Sequence, residues 1–198
     1  KLDPSVSLKI VEYQYITELI YNNAARNGHF NIVEYAYSND FYFDYRTCAA
    51  AAGGGHLDIL KFLRVKGCEW DSLTCASAAR NGHFGVLEWA HANGCLVDPF
   101  VCYSAALGGY LDTLKWLKTK GCDWNSNTCR AAARIGDLNI LKWARANNCE
   151  WDRYTCREAA ANGLLSVLLW AMENGCEYDP HDLLDWGRRN NYKYEPYI

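Results

Sequence analysis

A period of 27 residues runs through this chain from about residue 14 to 190, with no insertion or deletion breaking its phase. A chain with that regularity is constrained to a repeat architecture before any motif is considered. CEWD at Cys68 returns as CLVD at Cys95, CDWN at Cys122, CEWD at Cys149 and CEYD at Cys176. One step earlier, FYFD ends at Asp44. A small pair recurs at Ala24-Ala25, Ala51-Ala52, Ala78-Ala79, Ala105-Ala106, Ala132-Ala133 and Ala159-Ala160.

Each period has room for two short helices. Asp44, Asp71, Asp98, Asn125, Asp152 and Asp179 form a column of residue types that cap helix N-termini. Pro99 and Pro180 follow two of them, at the first helical position where proline is tolerated. A glycine, such as Gly82, ends the first run. The second run ends on Asp40, Gly67, Gly94, Gly121, Asn148 and Gly175, a column suited to the left-handed backbone of a helix stop. In one second run, Val86, Leu87 and Ala90 share a helical face. Helices this short are not stable alone and must stack on their neighbours, which predicts an all-α solenoid of helical hairpins. The alanine pairs permit close approach where helices cross. The LxxLxL signature of leucine-rich repeats is missing, and tetratricopeptide repeats need a longer period.

AARNGHFGVLEWAHANGC, residues 78–95, resembles the AA-x-x-GH-(two aliphatics)-LL-x-x-GA stretch of ankyrin repeats. Ala78, Ala79, Gly82, His83, Val86, Leu87, Trp89, Ala90 and Gly94 fall on matching positions, and Cys95 replaces the final Ala. The likeness covers about 175 of the 198 residues. Ankyrin repeats are about 33 residues long. The missing residues are those of the projecting β-hairpin and the start of the TPLH motif. The resemblance therefore implies short, finger-less ankyrin-like repeats. It also implies protein–protein binding on a concave face without catalysis. The expected organisation is one continuous domain. An N-terminal cap or truncated repeat (1–13) precedes six repeats (14–175), and a partial repeat or C-terminal cap (176–198) follows. Trp186-Gly187 stands in the last unit where the alanine pair is expected.

All ten cysteines lie in two columns. Cys48, Cys75, Cys102, Cys129 and Cys156 belong to the first helices. Cys68, Cys95, Cys122, Cys149 and Cys176 follow the second-helix stops. Stacked helices lie about 8–10 Å apart, whereas a disulfide needs its Cα atoms within about 7 Å, so neighbours within one column cannot bond. The Cys68-to-Cys75 spacing is not that of a zinc site, and no histidine column completes one. The reading is structural: small, buried, reduced packing residues. Cross-column disulfides and a metal site are the lesser alternatives. Free thiols at this density point to a reducing compartment, cytoplasmic or nuclear.

His29, His56 and His83 share one column with Tyr110, Asp137 and Leu164, which suits a turn or packing role rather than chemistry. One aromatic ladder is Phe43, Trp70, Trp124, Trp151 and Tyr178; the other is Tyr35, Phe62, Trp89, Trp116, Trp143 and Trp170. The expectation is inter-repeat core. Exposed Trp beside Arg would instead suit single-stranded nucleic acid or carbohydrate.

Function in such an array is expected where columns vary, because constant columns serve packing. Four first-helix columns at i, i+3, i+4 and i+7 vary most. The i, i+3 and i+7 columns supply the candidate partner-binding residues Leu73, Ala76, Arg80, Phe100, Tyr103, Leu107, Asn127, Arg130, Arg134, Tyr154 and Arg157, with Arg153 beside them; the i+4 column holds Ser77, Ser104, Ala131 and Glu158. Arg and Tyr are favoured at interface hot spots. The basic and aromatic character of the later repeats suits an acidic peptide or protein surface. Net charge is -3, so no overall basic field points to nucleic acid. No apolar run reaches the roughly 20 residues that span a bilayer. No phosphate-binding, dinucleotide or H-E-x-x-H motif occurs, and no cofactor or catalytic residue is implied. The predicted protein is a monomeric, non-catalytic interaction scaffold.

Overall fold

A computed structural model describes residues 18–181, 187 and 188. The expected cap over 1–13 and the tryptophan at Trp186 lie outside the described residues. Among the described residues every regular element is a helix. They fall into two compact units, Lys1–Val97 and Asp98–Ile198. The first unit contains α1 (described over 18–26), α2 (Phe30–Ser38), α3 (Tyr45–Gly54), α4 (Leu57–Val65), α5 (Ser72–Arg80) and α6 (Phe84–Ala92). The second contains α7 (Pro99–Gly108), α8 (Leu111–Thr119), α9 (Ser126–Ile135), α10 (Leu138–Ala146), α11 (Arg153–Ala161) and α12 (Leu165–Glu173).

The local signals act as the sequence indicates. Asp44, Asp71, Asp98, Asn125 and Asp152 each accept the backbone N–H two residues on, at the start of α3, α5, α7, α9 and α11. Asp179 does the same for His181. A cap of this kind is worth about 1 kcal/mol. Every residue of the second-helix stop column has positive φ, including Asp40 at 58° and Asn148 at 63°. The segment 66–71 joins α4 to α5 with no hairpin finger.

Within the first unit α3 packs on α5; within the second α7 packs on α9 and α9 on α11. The alanine pairs lie buried on these first helices. The second helices turn aliphatic faces inward, Ile59, Leu60 and Leu63 on α4 and Ile140, Leu141 and Ala144 on α10. The histidine column is a packing column. His83 lies against the turn of the preceding repeat, where a Cβ on Gly55 would sit 2.6 Å from its ring. His56 fills the same place over Gly28 and donates through Nε2 to the Arg26 carbonyl oxygen at 3.1 Å.

The aromatic ladders depart from the expected core. Trp70, Trp89, Trp124, Trp143, Trp151 and Trp170 are half-buried, and Tyr35 is 64% exposed. Trp70 meets Trp89 edge-on at 5.8 Å, Trp124 meets Trp143 at 5.4 Å and Trp151 meets Trp170 at 5.8 Å. An indole is too large to be enclosed between helices spaced by alanine, so each loop ring lies at the margin against the next repeat.

Candidate partner-binding groove

In the second unit, the N-terminal turns of α7, α9 and α11 bring most of the variable columns together. Proline at the first position of α7 and the Asp98 cap fix where that helix begins. Phe100 and Tyr103, one turn apart, then stack with ring centroids 5.9 Å apart and planes 20° apart. Asn127, Arg130 and Arg134 project from α9 at i, i+3 and i+7. A groove of about 380 Å³ is lined by Pro99, Phe100, Tyr103, Asn125, Asn127, Arg130, Ala131, Arg134 and Glu158.

Arg130 is the centre of this surface. Its Nη1 donates to Asn127 Oδ1 at 3.0 Å, and its Nη2 lies 3.8 Å from Glu158 Oε1. Its Nε is buried without a hydrogen-bond partner. Its guanidinium carbon is 4.9 Å from the Tyr154 ring centroid. Arg153 and Arg157 approach the same ring at 5.3 and 6.0 Å. The Tyr154 phenol is drawn below its ordinary range, first by its hydrogen bond with Arg153, then by the positive charge of Arg153, Arg157 and Arg130.

Phe100, Tyr103, Asn127, Arg130 and Arg134 thus line one groove, with Arg153, Tyr154 and Arg157 joined to it through Arg130. Leu107 is half-buried on α7 and does not line it. Leu73, half-buried, and Arg80, exposed, lie on α5 of the first unit. Ala76 is a correction: it is 2% exposed and offers no contact surface. A methyl group in this column is covered by neighbouring helices, whereas Tyr103, Arg130 and Arg157 are long enough to reach out. Pro99, Asn125, Ala131 and Glu158 were missed. Asn125 and Pro99 read only as helix-start residues, and Glu158 stood unused in a variable column.

The repeated tryptophans supply no separate stacking surface in this groove. Arg64 lies 4.1 Å over Trp70, Lys118 4.3 Å over Trp124 and Arg145 4.2 Å over Trp151, covering one face of each ring.

The ten cysteines are all buried, and none is in a disulfide. They pair between columns, each first-helix thiol with the one 20 residues later. Cys48 Sγ is 3.4 Å from Cys68 Sγ, and Cys102 Sγ is 2.7 Å from Cys122 Sγ. Cys75 and Cys95, Cys129 and Cys149, and Cys156 and Cys176 share the same hydrogen bond. The hydrogen bond and burial push the first-helix thiol of Cys48, Cys102, Cys129 and Cys156 upward. The bond draws its partner downward. Each loop sulfur also reaches the carbonyl oxygen of an N-cap residue, as Cys95 does to Asp71 at 3.1 Å.

No family model and no curated protein matches the sequence. Among solved structures, the crystal structure of the human ASB11 ankyrin repeat domain is similar, with a TM-score of 0.54. The match covers 71% of this chain and 83% of that chain at 17% identity. The fold is that of ankyrin repeats. At this identity the likeness concerns the backbone path. The ankyrin-repeat hairpin is shared, while the 27-residue period and the two cysteine columns are read from this chain itself. No helix among the described residues is long and apolar enough to cross a membrane.

Proposed function

We propose that the chain is a non-catalytic interaction module that binds a protein partner through the first-helix groove of its second unit. The partner presents acidic residues beside an apolar one. The observation that carries this reading is Arg130 and Arg134 lining the groove beside the stacked rings of Phe100 and Tyr103, with Arg130, Arg153 and Arg157 gathered around the Tyr154 ring. Arginine forks bind carboxylates in a bidentate way, and aromatic rings supply the apolar anchor. The Arg130–Glu158 pair is partly exposed and separated by 3.8 Å, so it is worth less than about 1 kcal/mol and a partner carboxylate can displace it. The arginines are permanently charged and cannot serve as a general base near neutral pH, which supports binding over catalysis. Leu107, on α7 of the same unit, is a secondary contact. A monomeric form in a reducing cytoplasmic or nuclear compartment fits this reading.

Affinity capture with mass spectrometry tests it, comparing the wild-type chain with an Arg130→Glu, Arg134→Glu, Arg157→Glu variant of unchanged circular dichroism. Proteins lost from the variant and eluted from the wild type by salt are the expected partners. Equal recovery from both chains eliminates the groove.

A further inference from the structure

We propose that the two cysteines of each repeat form a latent intra-repeat disulfide, which makes the helical stack reversibly redox-responsive. Five first-helix cysteines each meet the loop cysteine 20 positions later. Cys48 and Cys68 touch at 3.4 Å and Cys102 and Cys122 at 2.7 Å, so no other heavy atom fits between the sulfurs. Packing alone needs one small residue at each place; it does not need a thiol facing a thiol in five successive repeats. The loop member is the better nucleophile. It sits in a loop rather than a helix, and its hydrogen bond with the first-helix thiol, then Arg64 beside Cys68 and Arg145 beside Cys149, favour its thiolate.

The chemistry balances with a small disulfide such as glutathione disulfide as oxidant. The loop thiolate attacks it, forming a mixed disulfide and releasing one glutathione thiolate. The first-helix sulfur then displaces the second glutathione. The two protein thiols lose two protons and two electrons, and glutathione disulfide gains them as two thiols. Burial of both sulfurs requires a brief local opening of the loop, which makes the step slow rather than forbidden.

The test uses diamide, an azo oxidant that takes up two electrons and two protons to become a hydrazine. The folded full chain is oxidised, alkylated in denaturant and digested, and the crosslinks are mapped by mass spectrometry. The expected bonds are Cys48–Cys68, Cys75–Cys95, Cys102–Cys122, Cys129–Cys149 and Cys156–Cys176, in a monomer with unchanged helical dichroism. The melting temperature rises, and dithiothreitol reverses the change. Ten alkylated thiols, at an oxidant level that crosslinks the denatured chain, overturn the proposal. So do bonds between other cysteines or between chains. The Cys102→Ala variant adds a sharper readout: Cys122 should remain the one alkylatable thiol. Its capture by Cys149 or any other cysteine would show that pairing is not built into the repeat.

Discussion

The Arg145 guanidinium carbon lies 4.2 Å from the centroid of Trp151, and Arg145 Nη1 donates to the Cys149 carbonyl oxygen at 2.6 Å. The same side chain thus covers an indole face and fixes the loop that carries it. Arg64 with Trp70 and Lys118 with Trp124 repeat the ring contact. Where the cation column instead holds Tyr37, His91 or Met172, the loop position six residues on is Phe43, Val97 or Tyr178. Tryptophan therefore occurs there only behind an arginine or lysine. A double-mutant cycle of Arg145→Ala and Trp151→Ala should give a coupling of about 1 kcal/mol in urea unfolding. Additive effects would mean that the ring and the cation are independent.

The hydroxyls of Thr74, Thr128 and Thr155 are buried without a hydrogen-bond partner. Val101 already occupies their column in α7, and Thr47 differs by bonding Asn22 Oδ1 at 2.7 Å. Thr74→Val, Thr128→Val and Thr155→Val should each leave stability unchanged or raise it by up to about 1–2 kcal/mol. Thr47→Val should lower it. Chemical denaturation midpoints read both directions.

Gly55 and Gly94 both hold positive φ, at 81° and 87°. A Cβ at Gly94 meets open space, whereas one at Gly55 runs into the His83 ring. Gly94→Ala should cost only the left-handed penalty of about 1–2 kcal/mol. Gly55→Ala should cost measurably more, and His83→Ala should restore part of the difference. Thermal melts of the three variants decide it.

Tyr154 titrates below the ordinary tyrosine value near 10 because Arg153, Arg157 and Arg130 surround its phenol. A depressed folded pKa favours the tyrosinate, so this contribution to stability is present above the unfolded pKa. It is lost as pH falls through the folded pKa. A phenol carbon followed by NMR through alkaline pH should show the low midpoint, and Arg153→Gln should move it back up.

Under the proposed partner reading, Glu158 competes with the incoming carboxylate for Arg130. Glu158→Gln should raise recovery of captured partners several-fold at fixed salt. Lower recovery would mark Glu158 as a partner contact instead.

The sequence alone determined the helices, their starts and stops, and their order, because these depend on interactions inside one 27-residue period. Asp71 caps α5 through an N–H two residues away, and Asn148 stops a helix through its own φ. Such effects reach a few residues along the chain, so residue type and spacing carry them. The site was legible only in part. Variable columns pointed to Phe100, Tyr103, Asn127, Arg130 and Arg134, and these meet in one groove. Variability could not tell that Ala76 is covered while Arg130 reaches out, nor that Glu158 faces Arg130 from the next helix. Nor could spacing place Cys48 against Cys68, or hold Trp151 half-buried under Arg145. These relations are set by the distance and rotation between stacked helices. Many side chains fix that geometry together when they pack, and no single column encodes it.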